Sequence, residues 1–320
     1  MSFVFSLIIC TFNRARLLEV CLDSIAQAEP PSCEWEVLVV DNDSPDETPR
    51  LLESFREKLP GLRTERITER NLCVARNRGC AQARGLYLVY LDDDAKIPVE
   101  YLRNLQQRLT VHMPDIMSGP VFPYYSTRKP AWFRDAYETR MFAAVSGFSQ
   151  EARIATGANF IIKKSVLERL GGFDPRWGMQ AGKYVIGDER KVVDAYRENT
   201  PRAEQKVFYA LDCPVNHHVD PRKLRFPYFL YRFYVSGFST KAIRQDLGEK
   251  PLPLRVVVQE LAGLPFQLVR RLLEEKKRDE RDYVMVCALA VMNLGELVQT
   301  GSRQIRYFLA RWNPSLGRNS

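Results

Sequence analysis

The chain lacks the cysteine spacing of a metal cluster or a disulfide framework. Its seven cysteines are scattered over 320 residues without a C-x-x-C pair. Reduced thiols packed as small apolar groups account for that usage. No G-x-G-x-x-G turn follows the first apolar run, which argues against a dinucleotide-dependent dehydrogenase. Phe3 to Ile9 is apolar, but no basic stretch precedes it and no cleavage site follows. A buried first strand is therefore expected there in place of a secretory leader. Val284 to Leu294 is apolar but too short to span a bilayer, and Glu296 soon interrupts it. Internal repeats and low-complexity tracts are absent.

An excess of charge of one sign is lacking until the last third. Residues 1–220 are close to neutral, whereas residues 221–320 carry 18 Lys and Arg against nine Asp and Glu. That excess suits an anionic membrane surface, a phosphate-bearing acceptor or a well-solvated helical face. No nucleic-acid-binding motif accompanies it, so nucleic acid is not an expected partner. Leu264 to Leu273 and Val284 to Val298 are apolar at helical spacing. They suit helices lying on a membrane or packed on the rest of the chain. Arg270, Arg271, Lys276, Lys277 and Arg278 favour the membrane.

The first hundred residues alternate strand and helix. Ser6 to Cys10, Trp35 to Val40 and Leu86 to Leu91 are apolar runs, and Thr64 to Ile67 is a weaker strand. Helical spacing marks Arg16 to Ala28, Thr48 to Lys58 and Val74 to Ala83. Beyond residue 100, helices are expected at Tyr101 to Leu109 and Asp188 to Tyr196, and strands at Ala158 to Ile162 and Val207 to Leu211. Ser165 is expected to cap a helix ending at Gly171 and Gly172, and residues 114–135 look like loop. The alternation predicts an α/β fold with a mostly parallel central sheet covered on both faces, followed by a helical C-terminal extension. Ligands of such sheets bind beyond the carboxyl ends of the strands. Three strong strands end there in polar residues: Thr11-Phe12-Asn13-Arg14, Asp41-Asn42-Asp43 and Asp92-Asp93-Asp94. Three adjacent carboxylates repel one another, and a divalent cation with hard oxygen ligands, Mn2+ or Mg2+, removes the repulsion.

These strings resemble one known family. C-T-F-N-R, V-V-D-N-D-S, A-R-N-R-G-C-A-Q-A-R-G and L-D-D-D are followed by T-G-A-N-F, G-G-F-D, G-D-E at 187–189 and V-N-H-H-V at 215–219. In that order they resemble the inverting family 2 glycosyltransferases of GT-A fold, over roughly residues 5–240. The resemblance implies a catalytic domain over 1–220, with a nucleotide-binding half (1–100) and an acceptor-side half (101–220), and a basic helical region over 221–320. It implies transfer of a sugar from a nucleoside diphosphate sugar, UDP-linked before dTDP- or GDP-linked, to an acceptor hydroxyl. The acceptor would be a glycan or a lipid-linked saccharide. The expected location is cytoplasmic, with peripheral contact to the membrane.

By the same resemblance, Thr11, Asn13 and Arg14 line the nucleotide pocket, and Asp41 accepts the imide hydrogen of a pyrimidine base. Asn71 and Arg76 flank the base and phosphates, although some members carry Arg where this chain has Asn71. Asp92 touches ribose or donor sugar, and Asp93 belongs to the same nucleotide-binding set. Asp94 binds the metal. His217 lies near the diphosphate or metal, with His218 competing for that role. The family pattern places a general base at the start of a helix. Glu189 is preferred to Asp188, whose alternative is to cap that helix. Asn159 either contacts sugar or acceptor or is a satisfied buried amide. Trp177 either stacks on a sugar face or belongs to the core. Two rivals remain: a sugar nucleotidyltransferase, whose Gly-rich loop after strand one is missing, and a non-catalytic sugar-nucleotide binding module.

Overall fold

The computed structural model describes residues 3–151, 154–177, 179–180, 183–184, 187–246, 288 and 291–292. The first half runs β1 (Phe5–Thr11), α1 (Ala15–Ala26), β2 (Trp35–Asp41), α2 (Thr48–Ser54), β3 (Leu62–Arg66), α3 (Leu72–Gln82), β4 (Tyr87–Asp92), β5 (Ala95–Lys96) and α4 (Tyr101–His112). It continues with β6 (Ile116–Ser118), β7 (Val121–Tyr124), β8 (Gly147–Phe148), β9 (Asn159–Lys163), α5 (Lys164–Arg169), β10 (Met179–Gln180), β11 (Lys183–Tyr184), α6 (Asp188–Glu198), β12 (Val207–Tyr209), β13 (Val215–His218) and α7 (Phe226–Asp246).

The main sheet has the order β3-β2-β1-β4-β9-β6-β12-β8. The strands β1 to β4 are mutually parallel. β9 lies antiparallel between β4 and β6, and β12 is parallel to β6. From β1 the chain winds outward to β2 and β3, then returns to β4 on the other side of β1. The crevice beyond the ends of β1 and β4 is thus the point where strand order reverses. Thr11 ends one of these strands and Asp92 the other.

Alternating side chains divide the core between the two faces. Leu7, Ile9, Val37, Val39, Val89 and Leu91 join Leu18, Leu22 and Ile25 of α1 and Leu102 and Leu105 of α4. Ile8, Leu38, Val40, Leu88 and Tyr90 face the other way, with Cys73 and Ala75 of α3 and Val192, Val193 and Tyr196 of α6. Full burial of each such aliphatic side chain is worth roughly 1.5–3 kcal/mol. These faces therefore fix α3 and α6 on one side of the sheet.

Two local expectations need correction. Residues 114–135 contain β6 and β7, of three and four residues; such short strands carry no readable period. Ser165 does not cap α5. Lys163 is still paired with Tyr87 in the sheet and Lys164 already begins the helix, so no loop residue intervenes to cap it.

The contacts separate two compact units. One comprises Met1–Arg128, Arg134–Tyr184 and Asp188–Val219; the other comprises Lys129–Phe133, Val185–Gly187 and Asp220–Ser320. Within the second, Trp132 meets Phe133, Phe226 and Phe229 edge-on at 5.3–5.5 Å between ring centroids. Of the expected helical stretch Val284 to Val298, Ala288, Val291 and Met292 are described, and all are helical. The rest of it, and Leu264 to Leu273, lie outside the described residues.

Candidate active site

The three carboxylates at the end of β4 do different jobs. Asp93 is buried and occupied by the fold: the Thr11 hydroxyl donates to Oδ2 at 2.8 Å and Arg14 donates to Oδ1 at 3.0 Å. Asp93 thereby ties the end of β1 to the end of β4. Burial raises its pKa, Arg14 opposes that, and Asp94 adds to it, leaving it at about 6. Arg14 also reaches Asp94 at 3.3 Å. Asp92 and Asp94 instead face His217, whose Nε2 lies 3.4 Å from Asp92 Oδ2 and 3.1 Å from Asp94 Oδ1.

Register places that histidine. β13 pairs with β5 so that His217 stands opposite Ala95, the residue after Asp94. Successive side chains of a strand point to opposite faces. His218 accordingly turns away, its ring 2.8 Å from the Ser126 hydroxyl, while its backbone N–H donates to the Asp94 carbonyl. His217 reaches the acidic cluster with its ring. Burial pulls its pKa down, but Asp94 and Asp92 outweigh this and raise it to about 9.

One ligand atom from each of Asp92, Asp94 and His217 lies within 4.8 Å of the others. Two oxygens and one imidazole nitrogen fit a divalent first-row ion. The hydroxyl of Tyr124 is buried without a hydrogen-bond partner among the described residues, and Asp94 and Asp93 join burial in raising its pKa. An unsatisfied polar atom beside a carboxylate cluster is consistent with a place for an ion or its water.

The nucleotide-side residues separate into supports and open positions. Asp41 is buried, and its Oδ1 accepts from the Ser44 N–H at 2.9 Å. Asn13 has a left-handed backbone (φ 55°), and its N–H donates to the Ser44 hydroxyl at 2.9 Å. Phe12 is 38% exposed, and the Arg70 guanidinium lies 4.8 Å from its ring centroid. Asn71 serves the fold: its Oδ1 accepts from the backbone of Cys73 and Val74 as the N-cap of α3, and its Nδ2 donates to the Pro175 carbonyl. Its side-chain amide, expected beside base or phosphate, is thus engaged by the fold at both ends. Ser44, Tyr124 and Phe12 received no role from the sequence; Ser44 stood inside the polar run after β2 as a signal.

A second acidic pair lies at the start of α6. Asp188 is buried and ion-paired with Arg76, and Arg76 Nη2 is 3.5 Å from Asp92 Oδ1. Burial raises the pKa of Asp188, but Arg76 first, then the hydrogen bonds from Glu189 and the backbone, together reverse this and hold it below the ordinary carboxylate value. For Glu189, burial and then the adjacent Asp188 both act upward, to about 8. The two carboxyls are hydrogen-bonded, so one proton stays on Glu189 while Asp188 remains ionised.

Two residues left open between a sugar contact and the core turn inward. Asn159 has no exposed surface; Tyr101 donates to its Oδ1 at 2.8 Å and its Nδ2 donates to the Cys213 carbonyl at 2.8 Å. It is the satisfied buried amide of the two alternatives. Trp177 is 7% exposed, with the Lys191 ammonium 4.6 Å from its ring centroid, and is a core residue.

Residues 6–171 match the family model described as Glycosyl transferase family 2. The chain belongs to that family. It is a glycosyltransferase, with the GT-A arrangement of sheet and helices. Glucosyl-dolichyl phosphate glucuronosyltransferase of Haloferax volcanii is 24% identical over 246 residues, covering 74% of this chain and 76% of its own. The chain spans about half the length of several other curated relatives. In fold it is similar to the mannosyltransferase PcManGT of Pyrobaculum calidifontis, solved with GDP-Man and Mn2+, at TM-score 0.55 and 21% identity over 98% of this chain and 82% of that one. S. aureus TarS 1-349 in complex with UDP is similar at TM-score 0.55 and 17% identity, over 96% and 92%. Among the described residues, no helix is long and apolar enough to cross a membrane.

Proposed function

We propose that this family 2 glycosyltransferase transfers a sugar, with inversion, from a nucleoside diphosphate sugar to an acceptor hydroxyl. The observation that carries the reading is the meeting of Asp92, Asp94 and His217 at the end of β4, with Arg76 linking Asp92 to the acidic pair at the start of α6. Asp41, Asn13 and the Ser44 turn hold the nucleotide, a uridine foremost, with Arg14 close to its phosphates. Asp92, Asp94 and His217 hold a divalent ion. The imidazole nitrogen in that set favours Mn2+ over Mg2+. When bound, the ion supplies positive charge against the diphosphate.

Glu189 is the general base. Its carboxylate takes the proton from the acceptor hydroxyl. The hydroxyl oxygen forms a bond to the anomeric carbon from the face opposite the nucleotide. The bond from that carbon to the diphosphate oxygen breaks, and its electron pair leaves with the nucleoside diphosphate. Arg14 stabilises that departing charge. The acceptor is a glycan or a lipid-linked saccharide, a reading supported by the name of the Haloferax volcanii relative.

Titration calorimetry tests the donor side. UDP with Mn2+ should bind, and both Asp94→Asn and His217→Ala should weaken metal-dependent binding at least about tenfold. Absence of nucleoside diphosphate binding with either metal would overturn the reading. Affinity indifferent to metal would remove the ion from it.

A further inference from the structure

Arg76 is 4% exposed on α3, and its guanidinium contacts carboxylates from two different elements. One nitrogen meets Asp188, in the first turn of α6. The other lies 3.5 Å from Asp92 at the end of β4. The carbon of the guanidinium sits 5.4 Å from the ring centroid of Phe173, and the Arg76 carbonyl accepts from the Tyr90 hydroxyl at 3.1 Å. To bind a base or phosphate instead, the guanidinium would leave Asp188 buried beside no counter-charge from this helix, a costly arrangement.

Position 157 supports the same placement. A Cβ built on Gly157 would stand 2.7 Å from Arg76 Nη2. Gly157 is not among the positive-φ residues, so its backbone tolerates a side chain and the absent Cβ is a matter of space. The glycine of T-G-A-N-F is the gap through which the guanidinium passes.

We infer that Arg76 is a positioning residue which joins the metal-side carboxylate Asp92 to the turn bearing the general base, and so fixes the place and charge of the Asp188–Glu189 pair. This rests on the reading of Glu189 as base. Among the described groups, Arg76 and Cys73 face the pair from α3, Cys10 from β1 and Asp92 from β4. Lys191 and Arg190 follow on α6 itself, Lys191 over Trp177 and Arg190 against Asp194. Burial keeps both thiols protonated, raising Cys10 to about 12 and Cys73 further. Arg76 is therefore the described cation that holds Asp188 ionised and offsets the upward pressure on Glu189. Shifting its charge away leaves two carboxyls competing for one proton, and Glu189 ionises only at higher pH.

The test uses two variants of the full chain, read as pH profiles of kcat/KM and as separate kcat and KM values for the nucleotide sugar. Gly157→Ala pushes the guanidinium aside without altering any charge. Arg76→Lys keeps the charge but loses the two-carboxylate fork. Each should move the acidic limb to higher pH by roughly one unit, with KM changed less than about twofold. Should one variant fold poorly, the other carries the same readout. An unmoved limb overturns the inference. A raised KM with an unmoved limb also overturns it and makes Arg76 a substrate ligand. Glu189→Gln, measured alongside, separates the two readings. Full turnover in Glu189→Gln removes the base assignment, and this inference with it. Lost turnover there with unmoved limbs in the other two removes only the role of Arg76.

Discussion

Neighbouring carboxylates in this chain are made unequal by what each side chain touches. Asp93 gives its oxygens to Thr11 and Arg14, while Asp92 and Asp94 on either side turn to His217. Asp188 stays ionised in an ion pair with Arg76, while Glu189 beside it keeps a proton to about pH 8, through burial first and the Asp188 charge second. That asymmetry has a kinetic consequence. A general base works only when deprotonated, and its pKa in the folded protein lies above its ordinary value. Activity should therefore fall as pH drops through about 8, not through the usual carboxylate range. In the pH profile of kcat/KM, an acidic limb near 8 that disappears in Glu189→Gln is the expected outcome. A limb near roughly 4.3, the ordinary glutamate value, would mean that the working base is not held by this pair.

Elements, more than single residues, decide which sequence expectations survive. The strands β1, β2 and β4 were legible because each is a run of six or seven mainly buried residues ending in polar ones. The helices α1 and α4 were legible from buried positions three and four apart. β6, β7 and β13 were harder to read. They have only three or four residues and exist by pairing with strands far along the chain. That pairing also decides between His217 and His218, because only a known register says which ring faces Asp94. The fold roles of Asn159 and Asn71 were hidden from the sequence for a related reason. The partners that satisfy them, Tyr101, Cys213 and Pro175, lie 58, 54 and 104 residues away. A cap is separable from a ligand contact by experiment. Asn71→Ala should cost about 0.5–2 kcal/mol of stability, measured by chemical denaturation. The affinity for UDP in the folded variant should stay within about twofold, since a loss of a few tenths of a kcal/mol is the scale of a lost indirect effect. A large loss of affinity at unchanged stability would return Asn71 to the nucleotide pocket.

At the scale of the whole molecule, charge and chemistry are segregated along the chain. The proposed site draws its residues from positions 11–94, 188–189 and 217. The positive excess is confined to 221–320, with 18 Lys and Arg against nine Asp and Glu. A basic segment needs a counter-surface only if its charges are not already matched within the protein, and this one has twice as many cations as anions. An anionic bilayer supplies such a surface, at about 1 kcal/mol for each basic residue that comes close. A lipid-linked acceptor would be presented there. The full chain should therefore co-sediment with vesicles of phosphatidylglycerol and phosphatidylcholine, but not with phosphatidylcholine alone. Binding should weaken as salt rises from roughly 0.05 to 0.5 M, because the Debye length shortens across that range. Replacing Lys276, Lys277 and Arg278 with Glu reverses three charges far in sequence from Asp92 and Glu189. It should reduce vesicle binding while leaving UDP binding unchanged. Equal sedimentation with neutral and anionic vesicles would contradict an electrostatic attachment. Its absence with both would leave the basic third as a solvated surface and move the acceptor away from the membrane.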